Sequence, residues 1–280
     1  MIKLFLADFK VTQKISWKKF KKSFDGSGSL VYLVCVMIEL LSFQKGNAKL
    51  GKKIYTFSIV SGYTCPFAKD CLAKVDRITG KLTDGPDTQF RCFSASQEAL
   101  FPAVRKSRWD NFEKILNAIK NNTLVELILN SIPKKATIIR VHVAGDFFSQ
   151  AYFMAWMEVA KKRTDIVFYA YTKSISYWVN QLGNIPSNFK LNASYGGKQD
   201  SLIEQYNLKS VKVVYTVEQA GNLVIDHDDT SAFMQDKSFA LLLHGVQPKG
   251  SDASKALSVL KKQGIHGYGK KKDVRELAVG

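Results

Sequence analysis

Cysteine and proline are scarce in this chain, 4 and 6 among 280 residues. So few cysteines exclude a disulfide-stapled secreted domain. So few prolines, with 46% hydrophobic residues, leave a chain able to bury a sizeable core, as one large domain with an appendage. No apolar run reaches the roughly 20 residues needed to span a bilayer. The longest, LVYLVCVMIELL at 30–41, is interrupted by Glu39 and follows the basic stretch WKKFKKSF. No small-residue cleavage site comes after it, so it reads as a buried helix or strand and no membrane association is expected. Met37 lies inside this run, and a chain started there would leave Cys35 and the lysine-rich first segment outside the working protein. Absent too is any G-x-G-x-x-G or G-x-x-x-x-G-K-[ST] stretch, which removes support for a dinucleotide fingerprint or a phosphate loop.

Acidic residues are the remaining shortage, 24 against 41 basic ones. Residues 1–60 hold 11 basic and 3 acidic residues and residues 249–280 hold 8 and 3, so +13 of the net +17 sits on the two ends. Basic ends of this kind suit phosphate backbones, with Trp17, Phe20 and Tyr268 placed to stack on bases; the plainer account is solvated tails that favour solubility. Nucleic acid is therefore one candidate partner. The organisation expected is a basic extension with a short apolar segment (1–45), an α/β domain (46–265) and a basic tail (266–280).

After residue 50 apolar strands alternate with helical stretches. Candidate strands rich in β-branched and aromatic residues are 54–60, 137–143, 166–172, 189–194, 211–217 and 239–245. A helix is expected at 94–107 from a Ser94-to-Gln97 capping box, and a second is expected along WDNFEKILNAIKNNTLVELILN. Another should follow Ser149 as N-cap, and the last, SDASKALSVLKKQG, should end on a glycine. Only the fifth strand is followed by a polar loop, 218–238, which carries His227, Asp228 and Asp229. Six βα-like units in succession predict a parallel sheet, and with no nucleotide fingerprint the favoured form is a partial TIM-like (βα)6 barrel.

In such a barrel the working residues sit after the strand C-terminal ends. Those positions hold His142, Gly145 and Asp146 after the second strand, Lys173 after the third, and Ser194, Gly196 and Gly197 after the fourth. Glu218 follows the fifth. A small-molecule ligand at this rim is the second candidate partner. Each residue also has an ordinary reading: a satisfied core histidine, a solvated lysine, glycines that make a turn.

Three of the four cysteines, Cys65, Cys71 and Cys92, fall within 28 positions at the mouth of the first unit. A tetrahedral zinc site shows two close pairs, and no fourth ligand is evident. Three thiolates suit a four-iron cluster with one open iron, or a three-iron cluster with none; small thiols packed in a core are the alternative.

A cysteine loop after the first strand and an acidic glycine turn after the second resemble the layout of radical S-adenosylmethionine enzymes. That likeness implies a partial barrel, with Cys65, Cys71 and Cys92 as cluster ligands and Gly145 and Asp146 in the turn that holds S-adenosylmethionine. Here the cysteine gaps are five and twenty residues and the turn reads AGD. GNAKLGK (46–52), TCPFAKDC (64–71), FRCFSASQEA (90–99), RVHVAGDFFSQAYFMAW (140–156), FYAYTKS (168–174) and LNASYGG (191–197) are together similar to the phage gene product 88 domain family. That resemblance implies a viral protein made in the host cytoplasm of an infected bacterium, with an iron–sulfur role and no assigned substrate. Two functions follow as expectations. One is an iron–sulfur enzyme in which Lys173, Ser194 and Glu218 orient a cofactor or substrate. The other is a nucleic-acid-associated protein whose cluster or zinc is structural or redox-sensing.

Overall fold

The computed structural model describes residues 39–46, 50 and 54–265, and the backbone of two short strands before them. The chain divides into two compact units, Met1–Glu39 and Leu40–Gly280. In the first, β1 (Lys22–Phe24) pairs antiparallel with β2 (Leu30–Tyr32). Cys35, the middle half of the apolar run at 30–41 and the basic tail at 266–280 lie outside the described residues.

The second unit begins with β3 (Gln44–Lys45) and β4 (Ile54–Thr56). A small hairpin, β5 (Ala73–Val75) with β6 (Leu82–Asp84), follows. Then come α1 (Phe93–Leu100), α2 (Pro102–Lys120), α3 (Leu124–Ser131), β7 (Ile138–Val141), α4 (Gln150–Lys162) and β8 (Val167–Thr172). The chain continues through α5 (Ile175–Val179), β9 (Phe189–Ser194), α6 (Asp200–Gln205), β10 (Ser210–Val214), a 3-10 turn at Glu218–Ala220 and β11 (Val224–Ile225). It ends with α7 (Thr230–Met234), β12 (Phe239–Leu242) and α8 (Asp252–Lys262).

The main sheet has the order β11-β12-β10-β9-β8-β7-β4-β3, parallel except where β3 meets β4. All six predicted strands are present, and their sequential order has none of the reversal that marks a doubly wound sheet. The architecture is mixed α/β with a mostly parallel sheet. Among the described residues it is not a closed barrel: the outer strands β3 and β11 are not paired with each other, so the sheet stops short of a ring. The β4 edge is instead taken by β3, which arrives antiparallel from the preceding segment.

Helix boundaries follow local chemistry. The expected helix over 94–107 breaks in two at Phe101, held extended at φ −120°, ψ 98° by the proline that follows it. The capping box does not form. Cys92 takes the N-cap position, and the Ser94 hydroxyl donates to the Val143 carbonyl at 2.7 Å. Ser149 caps α4 as predicted, its Oγ accepting from Tyr152 N, and Lys161 and Lys162 meet the negative end of the helix dipole. Gly264, at φ +72°, follows the last turn of α8.

Strand alternation gives the sheet two unlike faces. Ile139, Val141, Phe168, Ala170, Phe189, Leu191 and Ala193 point one way, into the core formed with α2, α3 and α4, where Trp156 and Phe153 are wholly buried. Arg140, Tyr169, Tyr171 and Asn192 occupy the alternate positions. Among the described residues no helix is long and apolar enough to cross a membrane.

Candidate functional site

On the polar face one cavity of about 180 Å³ receives a residue from six of the seven parallel strands, all but β11, or from the strand's immediate continuation. Ser61 follows β4, Arg140 lies on β7, Tyr171 on β8, Ser194 on β9, Val213 on β10 and Leu241 on β12. The sheet is therefore curved about this space. Beyond β4 the chain stays extended alongside β7: Ile59 N donates to Ala144 O at 3.0 Å and Val143 N to Phe57 O at 2.9 Å. This carries Cys65, Gly145 and Asp146 to the mouth.

Cys65, Cys71 and Cys92 all line the cavity as free thiols. Each is partly buried and keeps some accessible surface. Burial consequently pushes the Cys65 thiol well above its usual range, aided by the charge of Asp146. It raises Cys71 to about 11, partly opposed by Lys173. Cys92 is raised by burial too, against the pull of the Ala95 and Ser94 N–H groups at the start of α1. All three are protonated at neutral pH.

The expectation of an iron–sulfur protein is overturned by this arrangement. Among the described residues no group of three or more His, Cys, Asp or Glu side chains is placed to hold a metal ion. The elements that carry the thiols are held by backbone contacts of their own. The 65–71 loop is fixed across its middle to the β9 loop, by an Ala68–Gly197 bridge and by Lys69 N and Asp70 N donating to Gly196 O at 3.2 and 3.0 Å. Cys92 is meanwhile committed to the helix terminus. The zinc alternative lacks its ligand group among the same residues.

Asp146 is buried and accepts three hydrogen bonds, from Phe147 N (2.7 Å), Thr172 Oγ1 (2.7 Å) and Lys173 N (2.8 Å). Burial outweighs these and lifts its carboxyl to about 6. Gly145, at φ +83°, is needed beside it, since a Cβ there would lie 2.4 Å from Ile59 Cγ1. Lys173 is buried rather than solvated: its ammonium donates to Ser194 Oγ at 2.8 Å, Ser194 O at 3.2 Å and the Tyr195 carbonyl. The glycine pair faces the cysteine loop. Its N–H groups donate to the Asp200 carboxylate at 2.8 and 2.9 Å, and a Cβ on Gly197 would stand 3.1 Å from Phe67 O. His142 is 3% exposed, at φ +68°, with Nε2 2.9 Å from Tyr152 Oη. Burial lowers its pKa to about 3, so the imidazole is neutral. Glu218 is exposed and does not line the cavity.

Sequence reasoning missed the floor. Asp229, fully buried at φ +64°, accepts from Arg140 Nη1 (2.5 Å), Tyr169 Oη (2.9 Å) and Tyr171 Oη (3.0 Å). The Arg140 guanidinium lies 4.7 Å over the Tyr171 ring. The only hint was an acidic tripeptide in an otherwise polar loop. Glu98 was missed as well: it is buried, 2.9 Å from Arg108, and receives both the N–H and hydroxyl of Ser61, which fixes the start of the cysteine loop.

A family model described as gene product 88 matches residues 40–261. Two curated relatives are gene 88 proteins of Mycobacterium phages D29 and L5, each 28% identical over 120 residues, or 40% of this chain. The matched part spans 43% and 44% of those proteins, less than half of their length. No solved structure matches. The likeness to radical S-adenosylmethionine enzymes finds no support in these comparisons, and S-adenosylmethionine loses the resemblance that introduced it. Trp17, Phe20 and Tyr268, with most of the basic residues of the two ends, lie outside the described residues.

Proposed function

The chain belongs to the gene product 88 family, and on that footing we propose that it is a bacteriophage small-molecule-binding protein. In this reading the sheet is an open partial barrel and the ligand sits in its cavity, between the three thiols, Asp146 and His142. The observation that carries it is the delivery of a residue to a single cavity by six of the seven parallel strands, all but the short outer β11. Pockets at the C-terminal ends of parallel strands, mostly apolar with a few placed polar groups, are the usual form of small-molecule sites. Protonated thiols favour binding over nucleophilic chemistry, because the thiolate is the reactive species. They line the wall as weak donors and polarizable contacts. A reducing compartment such as the host cytoplasm suits three unpaired thiols.

The test uses the small-molecule filtrate of infected cells against buffer alone. A ligand in the cavity should slow iodoacetamide alkylation of Cys65, Cys71 and Cys92 together and raise the melting temperature. Unchanged alkylation at all three thiols with an unchanged melting temperature would remove the proposal.

A further inference from the structure

A strap crosses the cavity mouth at the strand ends. Residues 65–92 contribute Cys65, Ala68, Cys71, Phe90, Arg91 and Cys92 to the wall, and they are tied to the loops after three strands. After β9 the ties are the Ala68–Gly197 bridge and Lys198 N donating to Phe67 O at 2.8 Å. After β10, Tyr215 Oη donates to Gln89 O at 3.0 Å, and its ring meets that of Phe90 edge-on at 6.4 Å. After β12, Gln247 accepts from Arg91 N at 2.7 Å and donates in return to Arg91 O at 3.1 Å. A molecule entering past the strap would have to break several of these contacts at once.

A second space of about 310 Å³ lies beside the cavity. Its wall includes Leu100, at the end of α1, and Val246, in the chain after β12, which are 62% and 58% exposed. Phe93, Arg140, Val143 and His244 line both spaces and form the partition between them. Two of the four are pinned: Arg140 pairs with Asp229, and the Val143 backbone donates to Phe57 O and accepts from Ser94 Oγ. The other two meet ring to ring, with centroids 4.7 Å apart, and both are only partly buried. Phe93 carries no polar atom in its side chain, so its ring can change rotamer without breaking a hydrogen bond.

Charge along this route is already matched. Arg140 pairs with Asp229 and Arg91 with Asp84. Lys173 spends its donors on Ser194 and Tyr195, and Asp146 accepts three hydrogen bonds. An ion passing inward would lose its hydration and meet no uncompensated partner. From these observations we infer that the cavity is entered from the side space, past Phe93 and His244, and that the molecules it admits are small and uncharged. The inference rests on the cavity being a ligand site, and it adds the route of entry and the class of ligand.

The test times alkylation of Cys65, Cys71 and Cys92 in the full-length protein by iodoacetamide, which is neutral, and by iodoacetate, which is an anion. Each rate is divided by that of the same reagent on the urea-unfolded chain, so intrinsic reactivity cancels. Iodoacetate should be slower by about ten-fold or more. Leu100→Trp and Val246→Trp, each placed at an exposed position, should fill the side space and slow iodoacetamide by about ten-fold, and Phe93→Ala should speed it. Gln247→Ala, which frees the strap from the β12 loop, should leave the rate within about two-fold. Loss of folding would speed alkylation, so slowing in the two tryptophan variants reports blocked entry alone. Unchanged rates in both of them, or a large acceleration in Gln247→Ala, would overturn the route and put entry under the strap. Iodoacetate reacting as fast as iodoacetamide would overturn the uncharged class. Either result leaves the cavity reading standing, since the infected-cell filtrate decides that separately.

Discussion

Adjacent residues on β7 show how differently the two faces of the sheet are held. Ile139, wholly buried, packs into the apolar core beneath α4, whereas Arg140, its neighbour, reaches the opposite side and pairs with Asp229. The helix-packed face is stabilised by volume and area, terms that change little with pH and that tolerate near-isosteric exchange. On the cavity face, stability depends on a few buried polar groups that hold one another, so deleting one leaves its partner with the desolvation cost. A sheet with one face of each kind combines a rigid support with a tunable site.

Substitutions on the two faces should separate cleanly. The largest effect is expected for Asp229→Asn, which keeps a residue tolerant of positive φ but leaves Arg140 without its charge partner. Urea unfolding should show a loss of about 3–5 kcal/mol; a loss below 1 kcal/mol would mean that the floor network is incidental.

The next effect is one of pH. His142 titrates at about 3 when folded and near 6.5 when unfolded, so between these values the unfolded chain binds the extra proton. Its contribution is complete above pH 6.5 and is lost as pH falls toward 3. Asp146 has the opposite sign. Its folded value of about 6 exceeds the ordinary 3.8, so the cost of burying its charge is full above pH 6 and shrinks as pH falls to 3.8. The wild type should therefore lose stability from pH 7 to 4.5, and His142→Phe should lose less over the same range. Equal losses in the two proteins would show that His142 is not buried in its neutral form.

On the helix-packed face, Ile139→Val should cost about 0.5–1.5 kcal/mol, by the same amount at pH 7 and pH 4.5. A strong pH dependence there would erase the distinction between the faces. Smallest of all should be Lys255→Ala on the exposed side of α8. Its pair with Asp252 is solvated on both sides, and calorimetry should register a change of no more than about 0.5 kcal/mol.

Much of the scaffold was legible because its signals are local. Runs such as VFYAYT and FKLNAS became β8 and β9, and Ser149 capped the helix it precedes, since β-branching and capping act over a few residues. The break at Phe101 is also written locally, in the proline after it, whereas the four-residue Ser94-to-Gln97 capping-box pattern points to one continuous helix. Placement of Cys65, Asp146, Lys173 and Ser194 around one cavity followed from the parallel order of the strands. Their roles did not. Lys173 was read as a ligand-orienting or solvated amine, yet it holds the carbonyls at the end of β9. The three thiols read as one metal-ligand set, yet they line the cavity as free thiols, with no metal-holding group among the described residues.

The sequence by itself determined where strands and helices form, that the sheet is mostly parallel, and that polar residues gather at its C-terminal ends. Tertiary structure alone decided which of those residues are already spoken for. Arg140 and Asp229 are 89 positions apart, and Ser61 and Glu98 are 37 apart. No local pattern encodes such pairs, because they form only when the crossovers bring the elements together. The same folding buries His142 Nδ1 among Phe57, Phe147 and Tyr152 with no hydrogen-bond partner among the described residues.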